Sequence, residues 1–106
     1  MKPVIIDSAA EVELAQAIEF YEHRQAGLGL DFGSAAQRAV DAIQKNPEHC
    51  ALRKDGTRRC VLPRFPFILH YTELPEALWV LAFAHTSRKP GYWRARLHGI
   101  TPGPVD

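Results

Sequence analysis

No apolar run in this sequence approaches the ~20 residues that a membrane-spanning helix needs. The N-terminus, Met1-Lys2-Pro3-Val4-Ile5-Ile6-Asp7, holds too short an apolar stretch for a secretory signal. A cytoplasmic protein with no membrane partner is the expectation. Cysteine is scarce as well. Cys50 and Cys60 are the two present, too few for a disulfide framework, and two reduced, buried thiols in a reducing compartment are predicted. His49 adjoins Cys50, but no C-x-x-C or H-x-x-x-H spacing follows, which argues against a zinc site. Neither metal nor cofactor is expected. There is no internal repeat and no low-complexity stretch, and 106 residues suffice for one domain with one modest core.

Acidic residues are sparse in the second half. From His49 to Asp106, nine Lys/Arg stand against four Asp/Glu; from Met1 to Glu48, four stand against eight. A net charge of +1 therefore hides a first half at −4 and a second at +5. Two readings are open: solvated faces of opposite sign, or a face that meets a polyanion or an acidic partner.

What is present begins with a short strand, Val4-Ile5-Ile6, placed at a sheet edge because Pro3 cannot donate to a ladder. Ser8 and Glu11 have capping-box spacing and open a helix that runs to about Gln25. Its apolar face is Ala10, Leu14, Ala17, Ile18 and Tyr21; Glu11, Glu13, Glu19 and Glu22 are predicted to be mostly solvated. Gly27 closes this helix in the left-handed conformation, with Leu28 folding back. A second helix is predicted from Asp31 to Lys45, with Phe32, Ala36, Ala39, Val40 and Ile43 inward, and Asn46-Pro47 stops it. After a weak stretch at 49–53 and a turn at Asp55-Gly56, strands are predicted at Arg58–Leu62, Phe67–Thr72 and Ala77–Thr86. A helical turn at Tyr92–Leu97 completes one domain over residues 1–99, and a frayed, flexible tail is expected over 100–106. The order β-α-α-β-β-β gives an α+β fold, with an antiparallel helical hairpin on one face of a small antiparallel sheet. The other sheet face is expected to be partly open.

The run Leu78–Ala84 is apolar at every position, as a strand buried on both faces is. Its end changes abruptly to His85, Arg88, Lys89, Tyr92, Trp93, Arg94 and Arg96. A rigid strand that delivers basic and aromatic groups to one edge suggests a site for anions. Trp79 is placed in the core or under the helices, and His70 and Tyr71 on opposite faces of their strand.

These residues, in order, carry a resemblance. The amphipathic helix with Tyr21, then Gly27-Leu28-Gly29-Leu30-Asp31-Phe32, Asn46-Pro47, Gly56-x-Arg58-Arg59, Phe65-Pro66-Phe67-x-x-x-Tyr71 and His85-x-x-Arg88-x-Pro90-x-Tyr92-Trp93 resemble the RelE/ParE superfamily of toxins, in its plasmid stabilisation branch. The resemblance covers about residues 4 to 97. It implies a growth-inhibiting toxin of a type II toxin–antitoxin pair, neutralised in a hetero-oligomer by a cognate antitoxin. His85-x-x-Arg88 looks more like the ParE side, whose members poison DNA gyrase. Tyr92 following Arg88 resembles the RelE side, whose members cut mRNA in the translating ribosome without a metal; Lys54 and Arg58 match basic residues of that branch.

Both mechanisms stay open, so it is open whether the chain is an enzyme. If it is a ribonuclease, Arg58 and Arg88 would clamp phosphate in a bidentate way, and His85 and Tyr92 would move the protons of 2′-OH attack and 5′-oxygen departure. The competing roles are an internal ion pair of either arginine with Glu19 or Glu22, and a His85 that only orients Arg88. Arg59, Lys54, Trp93 and Arg96 are candidate contacts to nucleic acid or target. Trp93 could equally pin the terminal turn to the sheet.

Overall fold

The structure, a computed structural model, describes residues 1–99; the expected tail at 100–106 lies outside them. Strand β1 is Val4–Ile6, helix α1 Ser8–Arg24 and helix α2 Leu28–Lys45. Asp7, not Ser8, caps α1: its carboxylate accepts the Ala9 N–H at 2.9 Å. The α1 face named above turns inward, with Ala10 and Ala17 fully buried and Leu14, Ile18 and Tyr21 packed against the core. Helix α2 begins three residues before Asp31. The reason lies on α1: the Glu22 carboxylate reaches over and accepts the Gly27 and Gly29 N–H groups at 3.0–3.1 Å. It thereby satisfies donors that a helix start leaves orphaned. Gly27 adopts φ +89° between the helices. At Gly29 they nearly touch, since a Cβ there would lie 2.6 Å from the Ile18 carbonyl oxygen.

Strands β2 (Thr57–Val61), β3 (Phe67–Glu73) and β4 (Leu78–His85) form the expected antiparallel meander. The sheet order is β1-β4-β3-β2, with β1 at the edge. β1 runs parallel to β4, from Val4 opposite Leu78 to Ile6 opposite Val80, so the sheet is mixed. A bulge interrupts β3–β4: His70 pairs with Ala82 and Tyr71 with Val80, which leaves Leu81 unpaired.

Alternation divides β4 between two cores, and the bulge adds Leu81 to the second. Leu78, Val80 and Phe83 join Phe32, Phe65, Phe67, Leu69 and Tyr71 under the helices. Leu81, Ala82 and Ala84 sit on the far face against Trp93, with Trp79, Tyr92 and Leu97 around them. The C-terminal segment, with a 3-10 helix at Arg94–Gly99, covers the β4 part of that face, and toward β2 the face stays partly open as a cleft. Trp79 belongs to this far side, because it alternates with its inward neighbours; its indole N–H donates to Asp7 at 3.3 Å.

Cys50 and Cys60 are joined in a disulfide, which overturns the expectation of free thiols. Chain reversal at Gly56 (φ +85°) and a bridge between Leu52 and Arg58 fold 50–60 back on itself. Cys60 faces the helix side of β2, and the two Cα atoms come within 5.7 Å. Closing so short a loop should contribute about 2–3 kcal/mol through the unfolded chain. Urea titration with and without a thiol reductant should show that difference, and a Cys60→Ser variant should be insensitive to the reductant.

Candidate functional site

His85 ends β4 on the helix side, with Phe67 edge-on to its ring at 5.2 Å. Its Nδ1 accepts the Ser87 N–H at 2.9 Å, which leaves the ring proton on Nε2. Arg88 follows, its own N–H bonded to the His85 carbonyl at 3.0 Å. The Arg88 guanidinium lies 3.8 Å from the centre of the Tyr92 ring and has no carboxylate within ion-pair distance among the described residues.

Tyr92 is committed elsewhere. Its hydroxyl donates to Glu13 of α1. Burial, and then that bond to a carboxylate, push the phenol up to about 12. Arg96 grips the same carboxylate through two nitrogens at 3.0 Å, and donates to the Leu81 carbonyl at 2.8 Å. Glu13 also accepts the Phe83 N–H at 3.1 Å. This cluster fills the edge of β4 beyond the end of β1, taking up the Leu81 carbonyl at the bulge and the Phe83 N–H after it. Glu13 is therefore a part-buried hub rather than a solvated helix residue; its side chain is 12% exposed.

Arg58 lies on the edge strand β2, two strands from β4. It alternates toward the helix face of β2 and donates to the Cys50 carbonyl at 2.7 Å. Neither Glu19 nor Glu22 pairs with Arg58 or Arg88. Of the four residues assigned to a ribonuclease, His85, Arg88 and Tyr92 line one cleft, with Arg88 over the Tyr92 ring; Arg58 does not line it and is bonded to the Cys50 carbonyl.

On the far face further residues join these. A cleft of about 180 Å³ is lined by His85, Arg88 and Tyr92 together with Arg53, Arg59, His70, Trp93 and Arg94. Strand register sets Arg59 directly opposite His70. The His70 ring stacks on Trp93, centroids 4.3 Å apart and planes 28° apart. Trp93 is buried, so it pins the C-terminal segment and forms a wall of the cleft. Arg94 pairs with Asp55 at 3.0 Å, and Lys54 is exposed on the same loop. Asp55 is held down to about 2, first by the Thr57 hydroxyl that donates to it and also by Arg94.

Sequence reading placed Arg59, His85, Arg88, Tyr92, Trp93 and Arg94 at such a site and missed Arg53 and His70. The missing signal was the pairing of β2 with β3, which puts residue 59 beside residue 70. His70 is 8% exposed, and its Nδ1 has no hydrogen-bond partner among the described residues. Burial, and after it the cations Arg59, Arg53 and Arg94, lower its pKa to about 4.

That shift has a direction in pH. Above about 6.5 the imidazole is neutral in both states and contributes no difference. Below it the unfolded chain binds a proton that the folded chain refuses, so stability falls with pH until about 4. The total should be about 3 kcal/mol. Denaturant titrations at pH 7 and 4.5 should show the loss, and a His70→Phe variant should lack that part of it.

A chain of the solved structure titled "Chromosomal ParDE TA system from P. aeruginosa" superposes with a TM-score of 0.71 at 18% identity, over 80% of this chain and 96% of that one. No family model matches the sequence, and no curated protein matches it. The likeness is one of fold. No helix among the described residues is long and apolar enough to cross a membrane.

Proposed function

We propose that this chain is the toxin of a type II toxin–antitoxin pair, acting by association in the manner of ParE toxins on DNA gyrase. A cognate antitoxin holds it silent in a hetero-oligomer, and both toxin and target are cytoplasmic. The fold likeness to a structure titled as a ParDE system supports the class. The observation that carries the mechanism is Tyr92. A phenol donated to Glu13 and pushed up to about 12 is a poor proton donor near pH 7, because a general acid works best with a pKa near the operating pH. Arg58, bonded to a backbone carbonyl under the helices, is not placed to clamp a phosphate beside His85. What the β4 end offers is Arg88, a cation without a carboxylate partner, fit to dock on a target.

One observation favours the second reading, a ribosome-dependent mRNA endonuclease. The far-face cleft brings Arg53 and Arg59 around a neutral imidazole, with Lys54 on the adjoining loop. Such a set could hold phosphate and move a proton.

Induction of the chain alone in a bacterial host, with RNA 5′-end mapping and nucleoid imaging side by side, separates the two. Filamentous cells with trapped DNA breaks and intact messages are expected, and Arg88→Ala should relieve them. New cleavage sites inside translated messages, lost on Arg59→Ala, would establish the endonuclease instead. Normal growth on induction would refute the toxin reading.

A further inference from the structure

We infer that the pocket between α2 and β2 is a thiol–disulfide exchange site, where a small thiol bearing negative charge opens the Cys50–Cys60 bridge and so sets the order of the loop over 46–56. The cytoplasmic setting comes from the toxin–antitoxin reading, on which this rests for that point alone. In that compartment thiols are kept reduced, and the disulfides that do form are usually transient or redox-sensing. Exposed bridges are the labile, regulatory ones. Cys50 and Cys60 are each partly exposed and pack at the margin of the helix-side core. Both line a pocket of about 400 Å³, within the ~300–1,000 Å³ range of small-molecule sites.

The lining selects the thiol. Arg38 of α2, Arg59 of β2 and His49 share the pocket with the bridge. No Asp or Glu lines it, and the rest of the α2 wall is alanine. Neither Arg38 nor Arg59 has a carboxylate within ion-pair distance among the described residues. Two such guanidinium groups draw an anionic thiol in and stabilise the thiolate that leaves. The incoming thiolate attacks one bridge sulfur. A mixed disulfide forms as the sulfur–sulfur bond of the bridge breaks, and the other cysteine departs as a thiolate. A second small thiolate attacks the mixed disulfide, removes its partner as the oxidised small dimer and frees the remaining cysteine. Two electrons pass to the protein, and both cysteine thiolates take up protons from water.

Opening loosens the loop. The side-chain bonds that remain on 47–50 are those of the Tyr71 hydroxyl to the Pro47 carbonyl and of Arg58 to the Cys50 carbonyl, each at 2.7 Å. The same loop carries Arg53 to the far-face cleft and sets Asp55 against Arg94. The redox state of the bridge thus reaches that cleft through the backbone.

The test uses the purified full chain in its bridged form, with mercaptoethanesulfonate as the anionic probe and cysteamine as the cationic one. Thiol trapping and mass spectrometry follow opening without denaturant, and each rate is divided by the probe's thiolate fraction. The anionic probe should act about tenfold faster at low salt, and its advantage should fade at ~1 M salt. Arg38→Gln with Arg59→Gln should bring the two rates together at an unchanged thermal midpoint; Arg24→Gln, an equal loss of charge on α1, should keep them apart. Hydrogen exchange should quicken over 46–56 once the bridge is open. Equal rates for the two probes, or opening in denaturant alone, would overturn the exchange site and leave the bridge a structural staple. Unchanged exchange over 46–56 would overturn its control of the loop. No growth and no partner protein enter these readings, so a failed toxicity assay and an inert bridge are told apart.

Discussion

Glu13→Ala should cost about 3 kcal/mol, the low end of the loss expected when one partner of a buried ion pair is removed, because both side chains keep some exposure. That is a large share of the ~5–15 kcal/mol that holds a domain folded. Four donors converge on this carboxylate: two Arg96 nitrogens, the Tyr92 hydroxyl and the Phe83 N–H. With alanine the Arg96 guanidinium stays in place with its side chain 19% exposed and no counter-charge. The Phe83 N–H is left facing a void. Glu13→Gln keeps one acceptor oxygen but no charge, and should lose about 1–3 kcal/mol. The pair Glu13→Ala with Arg96→Met should recover part of the deficit, because it removes the stranded cation as well. Urea titration of the four proteins reads all of this. A loss below about 1 kcal/mol in Glu13→Ala would show the cluster to be as weak as a surface ion pair.

Trp93→Ala should be comparably severe, at about 3–5 kcal/mol for an emptied aromatic site. Trp93 is 3% exposed and is the one aromatic ring fully buried in the far-face core with Leu81, Ala82 and Ala84. Its loss has a second readout that a mere cavity would not give. The indole covers the His70 ring, and burial is the first cause of that histidine's low pKa. Without the indole, water reaches the imidazole and its pKa climbs back toward the ordinary value. The extra loss of stability between pH 6.5 and 4 should then shrink. Histidine NMR titration in Trp93→Ala should find the His70 midpoint well above about 4; an unmoved midpoint would assign the shift to the neighbouring arginines instead.

The helical hairpin and the meander were legible because each rests on a local period. Ala10, Leu14, Ala17, Ile18 and Tyr21 recur at helical steps, and each strand runs between turn residues. What escaped depends on contacts far apart in the chain. Glu13 looks like any exposed helix glutamate until Arg96, 83 positions on, is folded over it. The early start of α2 depends on Glu22 reaching from the previous helix. The disulfide needed the register of β2 against the loop before it. At the candidate site, composition marked the right end of β4, but periodicity cannot say which basic residues share a face. Arg58 and Arg59 are adjacent in sequence and lie on opposite sides of the sheet. His70 drew no attention because its partners, Arg59 and Trp93, come from another strand and from the C-terminal segment.

The unpaired Leu81 has a consequence for the length of this chain. A molecule lacking that one residue would lose nothing of its facing pattern: Val80 would still point toward the helices, Ala82 away and Phe83 back. Its ladder would in fact be more regular. What it would forfeit is the carbonyl on which Arg96 closes. The surplus residue therefore works as a latch plate, an irregularity whose use lies in another segment. The shortened chain should keep its sheet and hold its C-terminal segment less firmly, through Trp93 and the Glu13 bonds alone.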